Sequence, residues 1–301
     1  MFSRYMGPLR HGVLGSLAAM VLALAGCATQ APAGRAPQAT VYAVTADHAL
    51  IRFAAGQPGA VLSRQPLQSL PPGEQVRGID FRVARGVLYA LTSSGRLYTV
   101  NTDTAQLTPV AAAAPSPWPV QGEITGFDFN PTVDRIRVIS ATGQNLRLHP
   151  DTGAVVDAQP DQPGLQLDGA LQYAAGDAQA ARRPDIAGVA YTYNHRDEKL
   201  TTNYVVDRGL GLLVMQGSAE GVQPVVSPNT GQLRTVGPLG LGPLTDVAFD
   251  IADVDNTALL AARAAGDGPT RLYRLDLARG QAQLLGVVGR GERLLGLAIA
   301  P

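Results

Sequence analysis

Short apolar runs separated by turn residues recur along most of the chain. The clearest set predicts four strands, at Ile124–Phe129, Arg135–Ser140, Asn145–His149 and Ala154–Val156. The segments between them carry Asn-Pro, Thr-Gly and Asp-Thr-Gly, which are combinations typical of tight turns. A four-stranded sheet with tight turns is the repeating unit of a β-propeller, so this stretch predicts one propeller blade.

The same unit recurs, and its first strand is the easiest part to align. The aligned first strands are VRGIDF (76–81), ITGFDF (124–129), IAGVAY (186–191), LTDVAF (244–249) and LLGLAI (294–299). Further apolar strands follow each one, and GRLYTVN and TAQLTPV in one unit closely match TRLYRLD and QAQLLGV in another. With 34 glycines and 22 prolines, the composition also favours a turn-rich, all-β protein.

The fifth unit predicts how the ring closes. The chain stops directly after the first strand of that unit, and residues 40–64 supply strands that lack a first strand. We therefore expect an all-β propeller of five four-stranded blades over residues 40–301, with N- and C-terminal strands sharing one blade. The alternative is six blades, with the long insert at 157–185 hiding a degenerate blade.

The N-terminal residues predict a lipoprotein. Arg4 and Arg10 precede an apolar run at 13–24, and Leu-Ala-Gly-Cys ends at Cys27, the only cysteine. We expect residues 1–26 to be a signal peptide, Cys27 to carry acyl chains such as palmitate, and residues 27–39 to form a tether. Because Ala28 is not acidic, we expect sorting to the outer membrane, facing the periplasm.

Composition and motifs exclude several classes of function. The chain has 24 basic and 24 acidic residues, so it lacks the basic surface that a nucleic-acid partner would need. Its histidines are dispersed, and HExxH, GxSxG, a Cys pair and a phosphate-binding loop are missing from the sequence. The sequence thus favours a protein that is not an enzyme.

One group of acidic residues forms a candidate metal-binding or catalytic site. The fifth residues of the aligned first strands are Asp80, Asp128, Ala190, Ala248 and Ala298. If these strands are innermost, two carboxylates approach the central channel and three blades present methyl groups. The carboxylates could bind calcium, act as acid and base in a hydrolase, or accept hydrogen bonds from neighbouring amides. Asn130 follows closely as a further candidate ligand.

Two loop aromatics are candidate ligand contacts. Trp118 lies in the Pro-rich connection at 111–123, and Tyr173 lies in the insert at 157–185. Connections at one end of a propeller commonly form its binding surface. Packing of both rings against a blade is the competing interpretation.

The residues quoted above resemble a bacterial family catalogued as domain of unknown function 4394. The resemblance rests on GFDFNPTVDRIRVIS (126–140), TGQNLRLHPDTGAVV (142–156), DGALQYAAGDA (168–178) and LTSSGRLYTVNTDTAQLT (91–108). It covers nearly all of the chain from Thr40, with more divergence at 194–228. It implies a secreted or lipid-anchored protein with a propeller-like fold, and it implies no reaction.

Together these observations lead us to expect an envelope lipoprotein whose propeller binds a ligand. The partners would be the membrane, through Cys27, and a small molecule, a glycan or an envelope protein. The alternative is a calcium-dependent hydrolase of lactonase or glycosidase type that uses Asp80 and Asp128.

Overall fold

The protein is a five-bladed β-propeller, as the repeat predicts. The computed structural model describes Met1 and residues 37–113, 115–116, 118–266 and 268–301. The predicted signal peptide, Cys27 and most of the tether lie outside the described residues. No helix in the described part of the chain is long and apolar enough to cross a membrane.

Blade 1 combines both ends of the described chain. Its strands are β1 (Thr40–Thr45), β2 (Ala49–Ala54), β3 (Val61–Pro66) and β20 (Leu294–Ile299). The sheet order is β20-β1-β2-β3, so the C-terminal strand occupies the place of a first strand. The predicted closure of the ring is confirmed.

Blades 2 and 3 follow in chain order. Blade 2 contains β4 (Val76–Arg82), β5 (Val87–Thr92), β6 (Leu97–Val100) and β7 (Leu107–Pro109). Blade 3 contains β8 (Ile124–Asn130), β9 (Arg135–Ser140) and β10 (Asn145–Leu148). The expected fourth strand at Ala154–Val156 is reduced to one bridge between Leu148 and Val155, so the prediction of four strands is wrong for this blade.

Blade 4 has five strands and blade 5 has four. Blade 4 contains β11 (Gln172–Tyr173), β12 (Ile186–Tyr191), β13 (Asn203–Asp207), β14 (Leu212–Gln216) and β15 (Gln232–Pro238). Blade 5 contains β16 (Leu244–Ile251), β17 (Ala258–Ala264), β18 (Arg271–Leu275) and β19 (Ala282–Val287). Short 3₁₀ turns occupy Val83–Arg85 and Pro228–Thr230.

The long insert does not form a blade of its own. Its strand β11 pairs in parallel with β15 and extends the outer edge of blade 4. The six-blade alternative is therefore wrong.

The five first strands surround the central channel. Each of β4, β8, β12, β16 and β20 is the edge strand of its own sheet, and each contacts the corresponding strands of both neighbouring blades. Five buried apolar clusters fill the spaces between successive blades. The cluster between blades 3 and 4 is the smallest, with eight buried residues, and this gap holds the polar pocket described below.

Close approach of the inner strands explains a glycine in β20. A Cβ atom added at Gly296 would lie 2.9 Å from the backbone nitrogen of Ile79 in β4. Because the neighbour is backbone, it cannot move aside cheaply.

We predict that Gly296→Ala lowers the free energy of unfolding by about 1 to 3 kcal/mol, because it overpacks the junction that closes the ring. Gly59→Ala is the matched control, since its nearest atom would lie at an ordinary 3.6 Å, and it should change stability by less than about 0.5 kcal/mol. Urea unfolding of both variants measures the difference. Equal stability would show that the junction has room for a methyl group.

Candidate functional site

The channel holds three carboxylates. Asp80 in β4 and Asp128 in β8 point to the same place, as expected, and Asp250 in β16 joins them. One oxygen from each lies within 4.8 Å of the others. The three residues are only 4 to 6% exposed. Carboxylate oxygens at this spacing are the kind of ligand that Ca²⁺ uses.

The alignment of the fourth unit was wrong by two residues. Ala248, not Asp246, occupies the position of the inner-strand glycines, and Asp250 is the fifth residue. Equivalent hydrogen bonds between blades identify the equivalent aspartates. The Ile299 amide donates to Asp250 in the same way as the Phe129 amide donates to Asp80. Two blades, with Ala190 and Ala298, therefore present methyl groups instead of three. The signal was present in the sequence, because AFDI (248–251) resembles GFDF (126–129).

The carboxylates hold the inner strands together. Five equivalent backbone N–H groups, one from each blade, donate to them. The bonds run from Phe81 and Phe129 to Asp80, from Tyr191 to Asp128, and from Ile251 and Ile299 to Asp250, with N···O distances of 2.6 to 3.0 Å. Three of these bonds cross from one blade to the next. The aspartates thus satisfy amides at every blade and fasten three of the five blade junctions.

Burial and mutual repulsion make this cluster retain protons. Burial raises the pKa of Asp80 and of Asp128 well above the usual value, and nearby carboxylates raise both pKa values further. Burial raises the pKa of Asp250 to about 6. Burial and the charge of Asp250 raise the pKa of neighbouring Asp253 to about 7.

A second feature is a pocket of about 440 Å³ between blades 3 and 4. This volume falls in the range of small-molecule sites. Asn130, one of the predicted ligand contacts, lies in its wall. The wall also contains three arginines and, among its sixteen residues, no acidic one.

Two rows of polar side chains face each other across this gap, and all their members except Asp128 line the pocket. Asp128, Arg137 and Arg147 are cross-strand neighbours in β8, β9 and β10. Tyr191, Asn203 and Gln216 are cross-strand neighbours in β12, β13 and β14. Cross-strand neighbours share one face of a sheet, and the Arg137 Nε donates to the Tyr191 hydroxyl at 3.1 Å, so the two rows face each other.

The other four blades are apolar where blade 4 has Tyr191, Asn203 and Gln216. The corresponding rows are Ile299, Val41 and Phe53; Phe81, Leu88 and Val100; Phe129, Ile136 and Leu148; and Ile251, Ala258 and Leu275. The position of Arg137 is likewise occupied by Tyr42, Tyr89, Tyr204 and Leu259 in the other blades. The row of Tyr191, Asn203 and Gln216 is therefore polar in this gap alone, and Arg137 is the one charged residue at a position that tyrosine or leucine occupies elsewhere.

Arg137 is held by a network of neutral and charged partners. Its guanidinium donates to Asp168 at 2.6 Å, Asn145 at 2.8 Å and Asn229 at 2.6 Å. The same Asp168 carboxylate accepts two bonds from Arg147. Asp168 comes from the long insert and Asn229 from the loop after β14, so two connections between strands help to build this pocket.

Two amide side chains of the pocket have polar atoms without partners. Neither the Asn203 Oδ1 nor its Nδ2 is hydrogen-bonded within the described structure, although Asn203 is 2% exposed. The Gln216 Oε1 is also unpartnered, and Gln216 is 1% exposed. A buried polar atom without a partner costs about 1 to 3 kcal/mol. Such an atom in a native fold requires a partner from outside the chain, such as a water molecule, an ion or a ligand.

The two loop aromatics lie outside the pocket wall. Trp118 is half-buried against the apolar cluster between blades 2 and 3, and its indole ring covers Gly95. Tyr173 is 6% exposed in the cluster between blades 3 and 4, and its hydroxyl donates to Asp207 at 2.8 Å. Both rings thus have packing roles in the structure.

Sequence reasoning missed Arg137, Asn203 and Gln216. The signal for the first two lies in the second strands, which align as VYAVT (41–45), LYALT (88–92), IRVIS (136–140), NYVVD (203–207) and ALLAA (258–262). Asn203 is the polar exception in the first column and Arg137 in the second.

We predict that the unfolding free energy falls by about 1 to 3 kcal/mol as the pH rises from about 5 to 7.5, because of the channel cluster. The folded state keeps protons that unfolded aspartates release near pH 3.9. The stabilisation is thus complete below about pH 4 and is lost as the pH passes 6 to 7, the raised pKa values of Asp250 and Asp253.

Asp128→Asn should reduce this fall, because it removes one titrating group and keeps an acceptor for the Tyr191 amide. Exposed Asp103→Asn is the control. Urea unfolding at several pH values measures the effect. A pH dependence that is the same in all three proteins would contradict the assignment.

Comparisons with known proteins identify a family and add no activity. A search of curated proteins finds no match. Among solved structures, one similar protein is a structural genomics protein of unknown function from Bacteroides thetaiotaomicron VPI-5482. It has 12% identity and a TM-score of 0.47, over 89% of this chain and 68% of that one.

Two further structures are similar in the same sense. The computationally designed Ika8 protein has 14% identity and a TM-score of 0.31, over 87% of this chain and 66% of that one. U3-55K has 12% identity and a TM-score of 0.43, over 86% of this chain and 81% of that one. A family model described as Domain of unknown function (DUF4394) matches residues 49–298. The chain therefore belongs to the DUF4394 family.

Proposed function

We propose that the protein is an envelope-anchored lipoprotein whose propeller is a binding module for a small polar ligand. The observation that carries the proposal is the pocket between blades 3 and 4. Only in this gap do Asn203 and Gln216 replace the apolar row found in every other blade. Because the repeat itself needs apolar residues there, the exchange is best explained by a ligand.

Energetics support this interpretation. Burying the Asn203 amide without partners destabilises the fold, whereas the equivalent Leu88 in blade 2 contributes a buried apolar side chain. Binding sites commonly sacrifice stability in this way. A ligand that satisfied these amides would recover part of the lost free energy.

We predict that the double substitution Asn203→Leu with Gln216→Leu raises the unfolding free energy by about 1 to 3 kcal/mol. Removing three unpartnered buried polar atoms outweighs the loss of the two hydrogen bonds that the Gln216 Nε2 donates. The matched control is Leu88→Asn with Val100→Gln, at the equivalent positions of blade 2. It should lower the unfolding free energy by about 3 kcal/mol or more. Loss of stability in the first variant would show that the polar row is structural.

A thermal-shift screen of small molecules from several chemical classes tests the binding function itself. At about 100 times its Kd, a ligand adds about 2.7 kcal/mol and moves the midpoint by several degrees. At least one class of compound should do so with the native protein and not with the stabilised double variant. A screen in which every class leaves the midpoint unchanged would contradict the proposal.

The anchoring part of the proposal depends on the N-terminal sequence. Cys27 follows a short apolar run in a lipobox-like context, and acyl chains attached there bind a bilayer by about 0.8 kcal/mol per buried CH₂ group. The tether at 27–39 would then hold the propeller near the outer membrane, on the periplasmic side.

We predict that Cys27→Ser abolishes labelling by an alkyne analogue of palmitate and removes the protein from the washed outer-membrane fraction. The reason is that no other cysteine is available for acylation. Ala28→Ser is the control and should remain labelled. Persistence of the label in Cys27→Ser would contradict the anchor.

A calcium-dependent hydrolase acting through Asp80 and Asp128 is the second candidate. The observation in its favour is the third carboxylate, Asp250, with oxygens of all three within 4.8 Å. Against it stand the amide bonds that these carboxylates already accept, and these bonds favour the binding module.

Melting curves in calcium and in EDTA separate the two functions. Superimposable curves are expected for the binding module. A calcium-dependent rise that disappears in Asp250→Asn would support the hydrolase and justify a screen of lactones and glycosides.

A further inference from the structure

The pocket between blades 3 and 4 carries a positive charge. Arg135, Arg137 and Arg147 line it. Asp168, buried beneath the wall, pairs with both Arg137 and Arg147, so one carboxylate serves two guanidinium groups. Arg135 is occupied through its Nη1 by two backbone carbonyls, which carry no net charge. The pocket therefore has more positive than negative charge and favours an anion.

The arginines differ in what they can offer a ligand. Arg137 uses its Nε and both terminal nitrogens on protein partners. Arg147 holds Asp168 through Nε and Nη2 and is 20% exposed. Among the hydrogen bonds of the described residues, its Nη1 takes no part. Guanidinium groups bind carboxylates strongly, so Arg147 is the donor best suited to an acidic group.

The Asn203 and Gln216 amides require hydrogen-bonding groups other than a carboxylate on the ligand. The Gln216 Nε2 donates to the Asn145 Oδ1 at 3.1 Å and to the Pro228 carbonyl at 2.7 Å, so the unpartnered atom of Gln216 is its oxygen. The Asn203 amide offers one further acceptor, its oxygen, and two N–H donors on Nδ2. A carboxylate has no hydrogen to give to these acceptors. The ligand must therefore also carry hydrogen-bond donors, and hydroxyl groups both donate and accept.

Two of the three exposed residues at the mouth of the pocket are valines, and the third is Ser227. Val133 and Val225 line it and are 57% and 68% exposed. Exposed valines beside a polar base suit a ligand that has C–H groups between its polar substituents.

Resting on the proposed binding function, we propose that this pocket binds a hydroxylated carboxylate, the chemical class of uronic and aldonic acids. Arg147 receives the carboxylate, and the Asn203 and Gln216 amides bind hydroxyl groups. The valines at the mouth contact the C–H groups of the ligand.

Three probes separate the two features of the ligand. D-Glucuronate has both a carboxylate and hydroxyl groups, D-glucose has only hydroxyls, and acetate has only the carboxylate. At about 10 mM probe, glucuronate, galacturonate or gluconate should raise the melting midpoint by several degrees. The glucose and acetate affinities should be weaker by about tenfold or more, measured by titration calorimetry.

Two variants locate the site. Asn203→Leu, which should fold stably, is expected to weaken acid binding by about tenfold or more. Arg147→Gln should bring the affinity for the acid close to that for glucose, because the charge is lost. Unchanged affinity in either variant would overturn the assignment of that residue and with it the proposed site.

Other results separate this inference from the proposed function. Equal binding of glucose and glucuronate would overturn the anionic ligand, and no effect from all three acids would overturn the class. In both cases a hit of other chemistry in the broad screen, lost in the Asn203 and Gln216 double variant, would leave the binding module intact.

Discussion

Five backbone N–H groups at equivalent positions of the inner strands must be hydrogen-bonded where the blades meet around the channel. An amide left without an acceptor in such a place costs about 1 to 3 kcal/mol. Three aspartates satisfy all five groups, because Asp80 and Asp250 each accept two. The bonds link blade 2 to 3, blade 3 to 4 and blade 5 to 1. The fold thus depends on three carboxyl groups that stay partly protonated, because burial opposes their ionisation.

Where the aspartates fix the ring, apolar side chains between the blades supply most of the remaining stabilisation. Four gaps follow one rule, with rows such as Phe81, Leu88 and Val100 packed against the preceding blade. The fifth gap departs from it, and the insert and the loop after β14 bring Asp168 and Asn229 to the same place. The strands and the loops therefore both depart from the repeat at the same pocket. Function in propellers resides in sites added to a common scaffold, and this coincidence supports the proposed binding pocket.

Channel and pocket meet at Asp128 and Tyr191. The Tyr191 amide donates to Asp128 in the channel cluster, and its hydroxyl accepts from Arg137 in the pocket. One residue therefore belongs to both the fastening of blades 3 and 4 and the polar row between them. The separate roles of the two features follow from access, because the pocket opens to solvent while the three aspartates are almost fully buried.

The sequence by itself determined the repeat, the shared terminal blade and two of the three channel aspartates, and it favoured five blades over six. Each of these follows from apolar alternation and turn residues, which are local. Apolar alternation alone could not fix the register of β16, because a shift of two residues keeps every side chain on the same face of a strand. The likeness of AFDI (248–251) to GFDF (126–129) was the one sequence signal for it. The inter-blade bond from the Ile299 amide to Asp250 settles that register. The pocket likewise needed the tertiary structure: Arg137, Asn203 and Asn229 are far apart along the chain, and the closed ring brings them together.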